Sequence, residues 1–276
     1  MHPILIRNNV KILGEGTQII VFAHGFGCAQ TSWKFMTDAF LEEYRVILFD
    51  YVGSGESDIT QYDYYKYATL DGYASDVIEI IEALNLKDVI FVGHSVSSMI
   101  GMIAALQKPE AFKKLVFIGP SPKYLNDGEY IGGFESDDIQ TIFNSIEEDY
   151  ASWAKGIAPI LMDKADRPEL SNFLQECFEE TDPSIALAFA MATFKTDCRD
   201  KFKDLTVPSL TLQSSSDIMA PLSAGDFIHQ NTPDNFLVVM QATGHFPHIS
   251  EPEETIREIK AFIKSNRLAS TSKLSA

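Results

Sequence analysis

Over the first 121 residues, short apolar runs alternate with stretches of helical spacing. Gln18–Ala23, Arg45–Phe49, Val89–Val92 and Lys114–Ile118 are brief, β-branched or aromatic, and nearly continuous in their apolarity. Such runs predict parallel strands buried on both faces. Between them, Tyr73–Leu84 places Val77, Ile78, Ile81 and Leu84 at the three-and-four spacing of an amphipathic helix, and Met99–Leu106 reads as a buried one. This rhythm predicts an α/β fold, a mostly parallel sheet with helices on both faces. From about Tyr124 to Arg199 the rhythm stops. That stretch reads as helical, carries Phe134, Phe143, Tyr150, Trp153, Phe173, Phe178, Phe189 and Phe194, and is broken by Pro159, Pro168 and Pro183. Strand signals resume at Val207–Leu212 and Phe236–Met240, and Glu253–Lys264 closes as an amphipathic helix. The expected organisation is a core of residues 1–123 and 200–268, an inserted helical lid over 124–199, and a small polar disordered tail at 269–276, without internal repeats.

Composition narrows the partners. A chain of 276 residues that is 45% hydrophobic can bury a sizeable core. Its formal charge of −17 disfavours nucleic acid and anionic membrane. Cys28, Cys177 and Cys198 are odd in number and contain no CxxC pair, which reads as reduced thiols in a cytoplasmic protein. The first residues show no charged leader followed by a long apolar core, so no signal peptide is expected. The most apolar long stretch holds Gly93, His94 and Ser95, which argues against a membrane span.

The sharpest chemical signal is Gly93-His94-Ser95-Val96-Ser97, set where a strand must turn into a helix. A serine there is thrust out of the sheet edge on a strained turn, and the turn tolerates only small residues two positions either side. Gly93 and Ser97 meet that demand, with serine where glycine is usual. A serine hydroxyl needs a base to take its proton and a third group to orient the base. The expected chain order is serine, acid, histidine, the last two on loops after later strands. Asp217 follows Leu210-Thr211-Leu212 after a polar stretch, Gln213–Ser216, that reads as a loop; His245 follows the strand ending at Met240 and is preceded by Gly244. Asp204, ahead of a strand, and Asp226, inside a helix, sit less well. His248 rivals His245 as the base, its bland alternative being a histidine hydrogen-bonded within its own loop; His229 reads as surface. The oxyanion of an acyl-transfer intermediate would be met by the amide of Val96 and by that of Phe26, in the His24-Gly25-Phe26-Gly27 turn.

Two other readings are set aside. Asp50–Ser57 holds two glycines but neither GxxxxGK[ST] nor a complete GxGxxG, so it reads as a tight loop after a strand. There is no HExxH and the six histidines are scattered, so no metal and no cofactor is expected.

Taken together, Gly25-Phe26-Gly27, Asp50–Gly55, Thr69-Leu70-Asp71-Gly72-Tyr73, Gly93–Ser97, Gly119-Pro120-Ser121-Pro122, Tyr124-Leu125-Asn126-Asp127, Gly132-Gly133-Phe134 and Gly244-His245-Phe246-Pro247-His248 resemble the α/β-hydrolase fold. More narrowly they resemble its RsbQ-type hydrolases, the group of a bacterial stress-response regulator and the plant strigolactone and karrikin receptors. The similarity runs from about Ile6 to Ile263. It implies a triad of Ser95, Asp217 and His245 under a four-helix lid and a mostly apolar pocket. Gly25, Phe26, His94, Phe134, Trp153, Ile157, Phe194, Ile218 and Phe246 are the expected pocket residues. Ile157 stands where the plant receptors are expected to carry an aromatic. Two functions follow as alternatives: a serine hydrolase of a small neutral ester or lactone, or a slow signalling hydrolase whose lid state is read by a protein partner, a PAS-domain phosphatase by resemblance. Dehalogenases and epoxide hydrolases of this fold place an aspartate where Ser95 stands, whereas perhydrolysis and carbon–carbon hydrolysis use the same triad.

Overall fold

The computed structural model describes residues 2–265, so the tail expected at 269–276 and the core's end at 268 lie outside the described residues. Seven strands form one sheet: β1 (Lys11–Leu13), β2 (Gln18–Ala23), β3 (Tyr44–Leu48), β4 (Val89–His94), β5 (Phe112–Ile118), β6 (Ser209–Ser216) and β7 (Asn235–Thr243). Their spatial order is β1-β3-β2-β4-β5-β6-β7. Only the β1–β3 pairing is antiparallel. Ten α-helices complete the described chain: α1 (Pro3–Arg7), α2 (Leu70–Ala83), α3 (Val96–Gln107), α4 (Ser136–Glu148), α5 (Tyr150–Met162), α6 (Pro168–Glu179), α7 (Pro183–Phe194), α8 (Leu222–Asn231), α9 (Pro247–Ser250) and α10 (Pro252–Lys264).

Why the central strands lack alternation is plain from their surroundings. Val21, Ile47, Phe91, Leu115 and Phe117 point to one face and pack against α2 and α3. Ile20, Phe22, Val46, Ile90, Val92, Val116 and Ile118 point to the other, against Trp33, Phe40 and the Ile259–Phe262 stripe of α10. Each strand residue therefore meets a core whichever way its side chain points. A third apolar cluster belongs to α4–α7, which join Cys28, Tyr124 and Phe246 of the sheet's loops and Ile249 of α9. These four helices form a cap over the carboxyl ends of the strands.

Two local expectations are corrected. Gln213–Ser216 is not a loop: β6 continues to Ser216, pairing Ser214 with Met240 and Ser216 with Thr243 across a bulge. Strand pairing overrides the polar side chains, two of which find partners of their own: Gln213 Nε2 donates to the Ala220 carbonyl and Ser215 Oγ to that of Ala242 at 3.0 Å, while Ser214 Oγ is buried without one among the described residues. The chain also begins with structure that has no periodic signal, the five-residue α1 and the three-residue, fully exposed edge strand β1.

The Asp50 loop is built around its carboxylate. Asp50 is buried and accepts from the Gln30 backbone at 2.8 Å, Gln30 Nε2 at 3.0 Å, Asn9 Nδ2 at 2.7 Å and the Glu56 backbone at 3.2 Å. These bonds tie the loops after β2 and β3 to the N-terminal segment, which is the reason for a Gly-rich turn here. Asp50→Ala removes the acceptor of the buried Gln30 N–H and of three further donors, two of them part-buried, so urea unfolding should show a loss of about 2 kcal/mol. A loss within experimental error would show that the carboxylate does not organise these loops.

Candidate active site

The sheet places three side chains at one edge. Ser95 lies between β4 and α3 with φ 54° and ψ −123°, a conformation that L residues adopt only under constraint. Its N–H donates to the Ile118 carbonyl at 2.8 Å, which holds the turn to the neighbouring strand. Gly93 leaves no room for a Cβ against the Ser97 backbone of α3. Ser97, the departure from glycine, earns its place through a bond: its Oγ donates to the His24 carbonyl and lies 3.0 Å from the Tyr51 hydroxyl. The substitution thus links the serine turn to the loop after β2.

Asp217 follows β6 directly. Its Oδ1 accepts from the Met219 and Ala220 backbones at 2.8 and 3.2 Å, leaving Oδ2 to meet His245 Nδ1 at 2.7 Å. His245 Nε2 stands 2.8 Å from Ser95 Oγ. The carboxylate can only accept, so Nδ1 carries the proton and Nε2 faces the serine as an acceptor. All three groups are buried. Gly244 makes the histidine loop possible: its φ is +82°, and a Cβ there would collide with the Met162 carbonyl of α5. The next residue is anchored to the same helix, His245 N–H donating to the Leu161 carbonyl at 2.7 Å. His94 Nε2 donates to the His245 carbonyl at 2.7 Å, fixing the loop from below.

The rival residues are elsewhere. Asp226 and His229 are exposed on α8, and Asp204 ends a short helix before β6. His248 is fully buried, and the expectation that it bonds within its own loop is overturned. Both its ring nitrogens lack a hydrogen-bond partner, and it instead packs between Trp33 and His94, with ring centroids 4.5 and 4.4 Å away. Burial pushes its pKa down to about 3, with the neighbouring His245 adding to the effect. His94 is also held well below the usual histidine range, chiefly by burial and then by His248.

A narrow cavity leads to Ser95. Phe26, His94, Trp153, Ile157, Phe194 and Phe246, all expected from the sequence, line it. Three expected residues do not. Gly25 lies beneath the His94 ring, where a Cβ would sit 2.5 Å from Nδ1; Phe134 packs outward of Phe194; Ile218 is 59% exposed. Its neighbour Met219 faces the cavity instead, because the Asp217 turn aims residue 218 away. The walls also include Tyr124, Ile142, Leu161, Phe178 and Thr193. Spacing alone gave no sign that Ile142, Leu161 or Thr193 face the cavity; Phe178 was visible only as one of many aromatics. Thr193 donates to the Phe189 carbonyl at 2.8 Å. Beyond Ser95 and His245 the polar side chains of the lining are those of His94, Tyr124 and Thr193.

The backbone supplies donors. Val96 opens α3, so its N–H has no intrahelical acceptor, and it follows the serine directly. Phe26 sits on the loop after β2, which lies beside β4 in the sheet. Among the described residues no three His, Cys, Asp or Glu side chains are grouped to hold a metal ion. No described helix is long and apolar enough to cross a membrane.

A parallel sheet carrying a strained serine, an aspartate after β6 and a histidine after β7 defines a class, and comparison agrees. Residues 20–258 match the family model described as "Alpha/beta hydrolase family", and the chain belongs to that family. Within it, the chain is similar to proteins named as receptors and as esterases. It is 39% identical over 251 residues to "Karrikin insensitive 2 receptor CA" of Petunia hybrida, covering 90% of this chain and 93% of that relative. It is 35% identical over 254 residues to "Strigolactone esterase D14" of Arabidopsis thaliana, covering 92% and 95%. Among solved structures, a hydrolase from Oleispira antarctica superposes with a TM-score of 0.93 at 38% identity, covering 96% of this chain and 97% of that one.

The buried histidines make stability depend on pH in a stated direction. His248 has a lower pKa folded than the ordinary 6.5, so the unfolded chain binds the extra proton. Its contribution is complete above about pH 6.5 and is lost as pH falls toward 3. Urea midpoints should therefore decline from pH 7 to pH 4, and His248→Phe should flatten part of that decline. An unchanged slope in the variant would remove His248 from the account.

Proposed function

We propose that this protein is a serine hydrolase of small, neutral esters or lactones, working through an acyl-enzyme. The observation that carries the reading is the unbroken Asp217–His245–Ser95 chain, at 2.7 and 2.8 Å, opening into an apolar cavity. His245 Nε2 takes the hydroxyl proton as Ser95 Oγ attacks the carbonyl carbon. The oxyanion then accepts from the amides of Val96 and Phe26. His245, now positive beside Asp217, returns the proton to the departing alcohol oxygen. Water repeats the sequence on the acyl-Ser95 ester and releases the acid. In a lactone the alcohol and acid remain one molecule.

The cavity supports the choice of substrate. A fully buried apolar group gains roughly 1.5–3 kcal/mol. A phosphate ester or charged peptide would lose hydration against Phe26, Trp153, Phe178 and Phe194 without meeting a counter-charge. The cap formed by α4–α7 acts in this reading as a lid, and three thiols without disulfides suit a cytoplasmic setting. No cofactor takes part.

The second reading, a slow hydrolase whose lid conformation is read by a protein partner, is favoured by the receptor names of relatives at 37–39% identity. It keeps the same triad and differs in turnover, so rate and partner binding separate the two.

Kinetics on a chain-length series of p-nitrophenyl esters tests the proposal. Activity should peak at short acyl chains, Trp153→Ala should move the optimum to longer ones, and anionic esters should be poor substrates. Ser95→Ala, His245→Ala and Asp217→Ala should each lower kcat/KM by roughly 10⁴-fold and combine far less than additively. Full activity in Ser95→Ala, or a preference for long lipids or anions, would refute the reading.

A further inference from the structure

His94 ends β4 immediately before Ser95 and continues the row of Ile90 and Val92, whose face also packs Trp33. It is buried, and three rings enclose its own: those of His248, Phe246 and His245, with centroids 4.4, 4.6 and 5.0 Å away. Gly25 of the oxyanion loop closes over Nδ1, where a Cβ would come within 2.5 Å. The serine turn, the histidine loop and the oxyanion loop therefore meet at this one imidazole. Of its two nitrogens only Nε2 has a partner among the described residues, the His245 carbonyl at 2.7 Å. A carbonyl oxygen only accepts, so Nε2 carries the proton.

That bond falls on the main chain of the base. His245 is gripped at both of its peptide groups: its N–H donates to the Leu161 carbonyl at 2.7 Å, and its carbonyl accepts from His94. Gly244 precedes it at φ +82°, so the chain on that side adds little stiffness. Two adjacent residues thus make separate contacts with His245: Ser95 Oγ with its ring at 2.8 Å, and His94 with its backbone. His248 supplies a contrast. It is equally buried and touches the His94 ring, yet both its nitrogens are without a hydrogen-bond partner among the described residues. His94 acts through a bond, and His248 through its shape.

We propose that His94 is a positioning residue for hydrolysis, holding the His245 main chain so that Nε2 of the base stays within reach of Ser95 Oγ. The inference rests on the serine hydrolase reading, and it gives His94 a role through the base where the sequence suggested contact with substrate. His94 keeps its Nε2 proton throughout, and no bond to it forms or breaks in the reaction. Without its donor the buried His245 carbonyl would lose its partner, and the loop would settle elsewhere. A shift of about 1 Å between reacting groups costs on the order of 100-fold in rate. The loss belongs to kcat, because a ring of similar size at position 94 leaves the cavity wall in place.

The test compares His94→Phe, His94→Asn, His94→Gln and His248→Phe by steady-state hydrolysis of p-nitrophenyl acetate and by proton NMR of the free protein. Glutamine can bring an amide N–H close to the place of the imidazole Nε2, whereas asparagine is too short and phenylalanine has no donor. His94→Phe and His94→Asn should lose kcat by about 100-fold with KM little changed. His94→Gln should recover most of that loss, and His248→Phe should turn over as the wild type does. The far-downfield signal of the Nδ1 proton between His245 and Asp217 needs no substrate; it should weaken or move in His94→Phe and His94→Asn and return in His94→Gln. Urea midpoints identify any variant that has unfolded, and the asparagine–glutamine pair carries the contrast if phenylalanine does not fit. An unchanged kcat in His94→Phe and His94→Asn, a loss carried by KM, no recovery in His94→Gln, or a like loss in His248→Phe would each overturn the proposal. A downfield signal that responds as expected in a wild type without ester turnover would refute the hydrolase reading and leave the hold on His245 standing.

Discussion

Ser95 is held with φ 54° and ψ −123° between β4 and α3, and the rest of the site is arranged around that constraint. Such a conformation costs on the order of 1–3 kcal/mol and persists only where its surroundings over-determine it. Here the surroundings are six strands in parallel register, a hydrogen bond from Ser95 N–H to Ile118, and a helix that begins at the very next residue. Relaxing the turn would draw Ser95 Oγ away from His245. The strain therefore connects the hydrophobic core to the chemistry.

The same logic extends outward through polar atoms with a single acceptor or donor to spare. Ser97 ties the elbow to His24, and His24 accepts from the Tyr51 backbone at 3.2 Å while donating from Nδ1 to the Gly25 carbonyl at 2.9 Å. His94 ties the elbow to the histidine loop, and Leu161 ties that loop to the cap. Cap, oxyanion loop and triad are thereby one connected body. A change in how α5 or α6 sits would be felt at His245 or Phe26. That coupling is what a receptor-like use of this fold would exploit.

The sequence made the core legible because buried parallel strands have to be continuous apolar runs, and because the elbow demands small residues around Ser95. Asp217 and His245 were readable from chain order alone. What escaped was decided by partners distant in sequence. Gln213–Ser216 is strand because β7 pairs with it, although its side chains are polar. His248 turned out to be a ring packed between rings, since aromatic neighbours from residues 33 and 94 surround it. Met219 faces the cavity and Ile218 does not, because two backbone bonds to Asp217 set the turn. Ile142, Leu161 and Thr193 reach the wall through cap packing that no local pattern encodes.

The central claim is that a single serine, activated by its setting in the fold, is the nucleophile. Intact-mass spectrometry after a serine-directed fluorophosphonate addresses it directly, followed by peptide mapping of the adduct. The account predicts one adduct per chain, located on Ser95, absent in Ser95→Ala and much slowed in His245→Ala. An adduct on another residue, or an equal rate of labelling in His245→Ala, would contradict it.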